Sequence, residues 1–101
     1  MHHFEARRGE LYCEGVPLRR IAEAVGTPAY VYSHATLSLH YRVFDEAFSG
    51  IPHIICYSMK ANSNGSVIRT FTNLGSGVDI VSGGELGRAI AAGAIPSKIV
   101  Y

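Results

Sequence analysis

The sequence contains no tryptophan, two cysteines and two lysines, against seven arginines. Because Cys13 and Cys56 are isolated and lack a C-x-x-C spacing, they offer no disulfide framework, and we expect reduced thiols in a cytoplasmic protein. A formal net charge of +1 gives no basis for binding nucleic acid or an anionic membrane surface. No secretory signal pattern is visible, and no apolar run approaches the roughly 18 residues that a membrane-spanning helix needs.

A spacing typical of metal ligands is also missing. The five histidines are scattered along the chain, so the sequence predicts no metal site. The length of 101 residues, with 48% hydrophobic and 17% charged residues, is that of one small globular domain with a modest core. What the sequence does contain is a series of strand and helix patterns.

The first part of the chain, residues 4–25, predicts a short β-meander followed by a helix. Two glycine-containing turn signals, Arg8-Gly9 and Glu14-Gly15, separate short strand-like segments. Pro17 suits the first turn of the helix, and Gly26 suits its end.

From Ala29 onward the predicted order is β-α-β-α-β-α-β, which is typical of a parallel sheet with right-handed helical crossovers. Ser33 is a good N-cap for the first of these helices, whose apolar stripe we expect to be core. That stripe consists of Leu37, Tyr41, Phe44 and Phe48. The predicted strands are 29–32, 54–60, 78–81 and 98–101, and the predicted helices are 34–48, one capped by Asn64 or Ser66, and 83–92.

The segment 54–64 is the one around which the other patterns are arranged. Its apolar, β-prone run ends in Lys60, which predicts a buried strand that carries this lysine at its carboxyl end. Alternation puts Lys60 on one face with Cys56 and Ser58, and Met59 on the face that packs under helices.

The strand pattern alone leaves two interpretations of Lys60 open. In the first, the stem covers apolar surface while the ammonium reaches solvent. In the second, burial favours the neutral amine, which is the nucleophile in Schiff-base chemistry.

Asp79 is one of only two aspartates and lies within an apolar predicted strand. A lone carboxylate would be costly to bury there. Either strand twist or an exposed edge leaves Asp79 in water, or its face is the interior of a barrel in which Lys60 is its partner.

The segment Ser82-Gly83-Gly84-Glu85 has the pattern of a capping box, with the serine at the N-cap and Glu85 at position N3. The same position after a strand is where active-site residues gather in barrels, so Glu85 is also a candidate for catalysis. A phosphate cradle is disfavoured, because no Gly-x-Gly-x-x-Gly or Walker pattern is present and Glu85 puts a negative charge in the same turn.

Two motifs carry a resemblance to a known family, the fold-type III pyridoxal-phosphate-dependent amino-acid decarboxylases. The first is similar to that family's pyridoxal-phosphate lysine motif, and the second to its next block in the diaminopimelate decarboxylase branch. They are Tyr57-Ser58-Met59-Lys60-Ala61-Asn62-Ser63-Asn64 and Gly77-Val78-Asp79-Ile80-Val81-Ser82-Gly83-Gly84-Glu85-Leu86. The resemblance extends from about Gly9 to the last residue, and it implies that the chain is about the first quarter of such an enzyme.

The resemblance implies an α/β fold: the N-terminal part of a (β/α)8 TIM-type barrel of the alanine racemase-like kind, preceded by a short β-meander and helix. It implies that residues 1–28 belong to the second, β-rich domain and that residues 29–101 form the first half of the pyridoxal-phosphate-binding barrel. Because such a barrel typically needs about 250 residues, we expect this chain alone to be inactive.

For function, the resemblance implies that Lys60 binds pyridoxal 5′-phosphate covalently and takes part in catalysis. It implies that Asp79 lies close to the cofactor and that Glu85, as a catalytic residue, lies beside cofactor and substrate. The implied reaction converts meso-diaminopimelate, the small-molecule partner, to L-lysine and CO2 in a homodimer of the full-length enzyme. Three alternatives stay open: an ornithine- or arginine-type decarboxylase of the same group, a non-catalytic pyridoxal-phosphate-binding homologue, and a nucleotide-binding α/β domain.

Overall fold

Two separate sheets contain the strands of residues 2–101, the part of the chain that the computed structural model describes. The chain forms two compact units, the first ending at Leu39 and the second running from His40 to Tyr101. The elements are β1 (Phe4–Arg7), β2 (Glu10–Cys13), β3 (Val16–Pro17), α1 (Leu18–Val25), α2 (His34–Ala47), β4 (Cys56–Ser58), α3 (Gly65–Asn73), β5 (Gly77–Asp79), α4 (Gly83–Ala91), a 3-10 turn (Pro96–Lys98) and β6 (Ile99–Val100).

The predicted β-meander is confirmed. Strands β1, β2 and β3 pair antiparallel in that order, and Phe4 lies opposite Cys13. Arg8 and Gly9, which join β1 to β2, both have positive φ angles, 52° and 80°. A two-residue hairpin loop with this conformation matches the twist of its strands, which is why a glycine stands there. Helix α1 follows and ends at Gly26, also as predicted.

The strand predicted at residues 29–32 is absent, and that prediction was wrong. Residues 26–33 contain neither helix nor strand. A strand requires ladder hydrogen bonds to a neighbour, and no strand within residues 2–101 pairs with this segment, so Tyr30 and Tyr32 remain exposed. The sheet of the second unit therefore has three parallel strands where four were predicted, and the closed barrel is not present in this chain.

Helix α2 begins as predicted but does not bury its aromatic stripe. Ser33 Oγ accepts a hydrogen bond from the Thr36 amide at 3.0 Å, which confirms the N-cap. Phe44 and Phe48, predicted as core, are 54% and 40% exposed and pack edge to face against each other. Leu37 and Tyr41 are half-buried, with Tyr41 beside Phe71, so the stripe is partly covered but did not by itself produce a core.

The second unit has a parallel sheet in the order β4-β5-β6, covered on one face by helices. Helix α3 is capped by the Asn64 side chain, which accepts from the Ser66 amide at 2.8 Å. The core cluster lies between the helices and the sheet. Its buried members are Met59, Ile68, Val78, Ile80, Ala89, Ala92 and Ala94.

Candidate active site

The carboxyl ends of β4 and β5 lie side by side, because the two strands are parallel and Ser58 pairs with Asp79 in register. Lys60 follows Ser58 by two residues, and helix α4, which carries Glu85, begins four residues after Asp79. The three residues singled out from the sequence therefore gather at one edge of the sheet. This is the edge at which parallel α/β sheets build their sites.

Lys60 lies in a turn beyond the end of β4 and is exposed. The prediction of a buried strand reaching Lys60 was wrong, because the ladder with β5 stops at the Ser58 pair. Met59, directly before it, is fully buried in the core and anchors the turn. The Lys60 amine makes no hydrogen bond or ion pair with any other residue that the structure describes. By contrast, the amine of Lys98 donates to the Gly75 carbonyl at 3.2 Å.

Asp79 is half-buried on the sheet face opposite the core, since Val78 and Ile80 point into the core. Within residues 2–101 it forms no ion pair with Lys60, although the two share one edge. Its charge acts on a neighbour on the same face. Burial raises the pKa of the Cys56 thiol, and the nearby Asp79 carboxylate raises it further. Both effects disfavour the thiolate form of Cys56.

Gly77 brings the three strands into close contact beneath the site. A Cβ at this position would lie 2.3 Å from the Lys98 carbonyl oxygen and 2.8 Å from Cys56 Sγ. No side chain fits at this position, so the sheet presents bare backbone there. In the sequence analysis, Gly77 was part of the second motif but had no role assigned to it.

The predicted capping box is present, with one difference. Ser82 Oγ accepts a hydrogen bond from the Glu85 amide at 3.1 Å, as an N-cap does. Glu85 Oε1 in turn accepts from the Val81 amide at 2.9 Å, one residue earlier than in the standard box. The capping role of Glu85 is thus confirmed. Its second carboxylate oxygen accepts no hydrogen bond from the described residues and remains available to a ligand.

Two contacts at the site were missed from the sequence. The Tyr57 hydroxyl donates to the Asn62 carbonyl at 2.7 Å, and Arg88 Nη1 donates to the Ser63 carbonyl at 3.3 Å. Tyr57 was assigned only to packing, and Arg88 received no role. The available signals were a polar hydroxyl on the packing face of β4 and an arginine one helical turn after Glu85.

Comparisons with known proteins identify the family of the chain. Residues 34–101 match the family described as pyridoxal-dependent decarboxylase, pyridoxal binding domain. The chain belongs to this family. It is 52% identical over 101 residues to a diaminopimelate decarboxylase from Pseudomonas fluorescens, covering all of this chain and 24% of that protein. It is 55% identical over 93 residues to one from Vibrio cholerae, covering 92% of this chain and 22% of that protein.

Solved structures of the family share the fold of the chain. The crystal structure of AQ1208 from Aquifex aeolicus gives a TM-score of 0.92 at 44% identity, covering 98% of this chain and 24% of that one. Diaminopimelate decarboxylase from M. jannaschii, crystallised with L-lysine, gives a TM-score of 0.88 at 35% identity, covering 95% of this chain and 24% of that one. The chain therefore spans about a quarter of the length of the relatives it matches.

Family membership implies pyridoxal 5′-phosphate as the cofactor, and the residues present fit part of it. Covalent attachment to an aldehyde requires a primary amine, and Lys60 presents one at this edge, exposed rather than buried as the Schiff-base interpretation expected. Asp79 supplies a carboxylate on the neighbouring strand. The start of α4 does not suit the phosphate, because Glu85 puts a carboxylate there. Of the described residues, Lys60 is the one that would hold the aldehyde of the cofactor.

Residues 2–101 contain no other candidate centre of the metal-binding kind. No group of histidine, cysteine, aspartate and glutamate side chains there could hold a metal ion. Both cysteines are free thiols. Among the described helices, none has the length and apolar character needed to cross a membrane.

Proposed function

We propose that the full-length protein containing this chain is a pyridoxal-phosphate-dependent amino-acid decarboxylase that converts meso-diaminopimelate to L-lysine and CO2. The observation that supports it most is Lys60, an exposed amine at the carboxyl edge of a parallel sheet, with no hydrogen-bond or ion-pair partner among residues 2–101. It stands in a chain that is 52% identical to a diaminopimelate decarboxylase. Since the chain covers about a quarter of such proteins, activity and substrate are inferred for the whole enzyme.

The roles of the site residues follow from their chemistry. Lys60 would hold the cofactor through its aldehyde and give up that position to the amino group of the substrate. When bound, pyridoxal phosphate supplies the electron sink for the charge left as CO2 departs. The Asp79 carboxylate favours positive charge on nitrogen atoms near it. Glu85 keeps helix α4 capped with one oxygen while the other is available to the substrate.

We further propose the domain division at residues 28 and 29, with the second part opening a (β/α)8 barrel of the alanine racemase-like kind. The three parallel strands and their crossover helices support this. A homodimer and a cytoplasmic location belong to the same proposal, the second supported by the two free thiols. Light scattering on the full-length enzyme tests the dimer: a monomer at working concentration would contradict it.

The central experiment traps the cofactor. Full-length enzyme is incubated with pyridoxal phosphate, reduced with borohydride and digested, and the labelled peptide is sequenced by mass spectrometry. We expect the label on Lys60, its loss in Lys60→Ala and its retention in Lys98→Ala. Release of CO2 from meso-diaminopimelate, but not from ornithine or arginine, identifies the branch. A label on Lys98 would overturn the assignment, and labelled protein without CO2 release would indicate a non-catalytic homologue.

The two acids are separated by paired variants of the full-length enzyme. Asp79→Ala should weaken cofactor binding or turnover while far-UV circular dichroism stays unchanged. Glu85→Gln keeps an oxygen acceptor for the cap, so the melting temperature should hold while turnover falls. Unchanged turnover in Glu85→Gln would leave this residue with the cap alone.

A further inference from the structure

The position of Lys60 depends on a short segment without regular structure. The lysine loop, which we define as residues 60–64, joins the turn after β4 to helix α3. Because the Lys60 side chain makes no hydrogen bond or ion pair with any described residue, the backbone of this loop largely sets where its amine stands. A covalent site needs that amine held in place, so whatever fixes the loop also fixes the site.

One contact reaches the loop from the packed face of the sheet. The Tyr57 ring stacks on Phe71 with centroids 4.4 Å apart and packs against the core cluster. From this rigid base its hydroxyl donates to the Asn62 carbonyl at 2.7 Å. The stacked ring therefore holds its hydroxyl in a fixed position, where it binds the carbonyl of the residue two positions after Lys60.

A second contact reaches the loop from helix α4. Arg88 Nη1 donates to the Ser63 carbonyl at 3.3 Å, the carbonyl next along the chain from the one that Tyr57 holds. Arg88 lies one turn after Glu85 on the same helix. The helix that carries the candidate catalytic acid thus also holds the loop that carries the lysine.

Two further hydrogen bonds within and beside the loop hold its backbone together, so that fixing the two carbonyls also restrains Lys60. The Ala61 amide donates to the Ser58 carbonyl at 3.2 Å. The Asn64 amide donates to Asn62 Oδ1 at 3.0 Å, and Asn64 caps helix α3. Lys60 is consequently placed between buried Met59 and a loop tied to two different elements.

We propose that Tyr57 and Arg88 are positioning residues for Lys60, each holding one backbone carbonyl of the lysine loop. This rests on the proposed function, since it gives the lysine its role. The two residues touch neither cofactor nor substrate in the proposal. They act through the backbone, and their loss leaves the chemistry of the amine intact but its location less defined.

The test uses full-length enzyme and variants with matched controls. Tyr57→Phe removes only the hydroxyl and keeps the stacked ring, with Tyr41→Phe as control, because Tyr41 also contacts Phe71 but not the loop. Arg88→Met removes the donor, with Arg69→Met as control. Arg69 likewise donates to a carbonyl, that of Ala91 at 3.0 Å, but makes no hydrogen bond to the described lysine loop.

The first readout is amide hydrogen exchange on cofactor-free enzyme, for peptides covering residues 60–64. Losing one hydrogen bond of ordinary net strength should speed exchange there about two- to tenfold in Tyr57→Phe and Arg88→Met, and not in the controls. Arg88→Lys, which keeps a donor and the charge, should restore part of the protection. This readout needs no cofactor, so it remains valid even if the proposed function fails.

The second readout is the rate at which cofactor becomes borohydride-trappable on Lys60. This rate should fall by a similar factor in both variants. In turnover assays, kcat should fall by a larger factor than the factor by which KM changes. Unchanged exchange and attachment in both folded variants would overturn the proposal. So would equal effects in Arg69→Met, because they would indicate general α3–α4 packing. Failure of the wild type to attach cofactor at Lys60 overturns the proposed function instead.

Discussion

The two faces of the parallel sheet differ in what covers them. On one face Met59 and Val78 are fully buried beneath helices α3 and α4. On the other face Ile54 is 52% exposed and Val100 46% exposed, around the half-buried carboxylate of Asp79. We call these the covered face and the open face. The covered face packs into one core cluster with residues of this chain, whereas the open face leaves Ile54 and Val100 exposed.

This difference shows that the two faces of the sheet carry different kinds of residue. The covered face holds apolar side chains whose burial stabilises the unit. The open face holds the small and polar side chains of Ser58 and Asp79, together with Gly77, where nothing larger fits. Stability therefore comes from one side of the same three strands, and the chemistry proposed for Lys60 from their other side and carboxyl edge.

The largest effect should come from truncating the covered face. Ile68 is fully buried, so Ile68→Ala in the full-length enzyme should cost about 2–5 kcal/mol of unfolding free energy through lost transfer energy and a residual cavity. Val81→Ala is the matched change beside the open face, at a residue that is 58% exposed. Urea unfolding measures both. An equal cost for Val81→Ala would break the comparison, because it would mean that the open face is covered in the full-length enzyme.

A smaller loss of stability should come from adding a side chain at Gly77 on the open face. In Gly77→Ala the new methyl group would meet the Lys98 carbonyl, so the strands must shift, at a cost of about 1–3 kcal/mol. Gly87→Ala in helix α4 is the control, since a Cβ there meets nothing within 4 Å and the change should stabilise by roughly 0.5–1 kcal/mol. Thermal melts compare the two. A Gly77→Ala enzyme as stable as wild type would refute the close packing.

The helix caps at the carboxyl edge should contribute less still. Ser82→Ala removes the acceptor for the Glu85 amide and should cost about 1 kcal/mol. Asn64→Ala removes the equivalent acceptor of helix α3 and should cost about as much. Differences in chemical unfolding midpoint measure this. If neither variant loses stability, the caps do not hold the edge on which the site stands.

The smallest effect should be a pH dependence at His53, which precedes the open face. His53 Nδ1 faces the Ile51 carbonyl and Nε2 faces Asp45 Oδ1, each at 2.7 Å. Both partners can accept, so the protonated ring, which carries hydrogen on both nitrogens, can donate to both. The hydrogen bond to the Ile51 carbonyl, and then the one to Asp45, raise the pKa of His53. Because the pair is partly exposed, its contribution is small.

The sign follows from this raised pKa. The stabilisation is complete below the pKa of His53 in the unfolded chain, and it is lost as pH rises through the higher folded value. Unfolding midpoints of wild type and His53→Gln should therefore differ at acidic pH and converge at alkaline pH. A difference that persists at alkaline pH would show that the ring acts by packing on Phe48 instead.

Sequence reasoning succeeded where the determining contacts are local. Ser33, Asn64 and Ser82 were identified as caps because a cap acts on amides two or three residues away. The alternation along residues 56–59 identified the covered face correctly, since strand geometry alone sets it. The motif around Lys60 led to the right family for the same reason, as it is a contiguous run of residues.

The failures share the opposite property. Residues 29–32 have strand propensity but no ladder partner within the described chain, and Phe44 and Phe48 have helical periodicity but remain 54% and 40% exposed. Pairing and burial depend on residues distant in sequence, which propensity and period do not report.

What the sequence by itself determined is the order of the elements, their caps, the two faces of the sheet and the residue types of the site. Only the tertiary structure decided that Lys60 stands exposed in a turn, that Gly77 has no room for a side chain, and that Arg88 reaches Ser63 across 25 residues. The physical reason is that hydrogen bonds to backbone carbonyls form wherever a donor is brought near, whatever the sequence at the acceptor. Such contacts leave no pattern in the sequence and are read only from the folded chain.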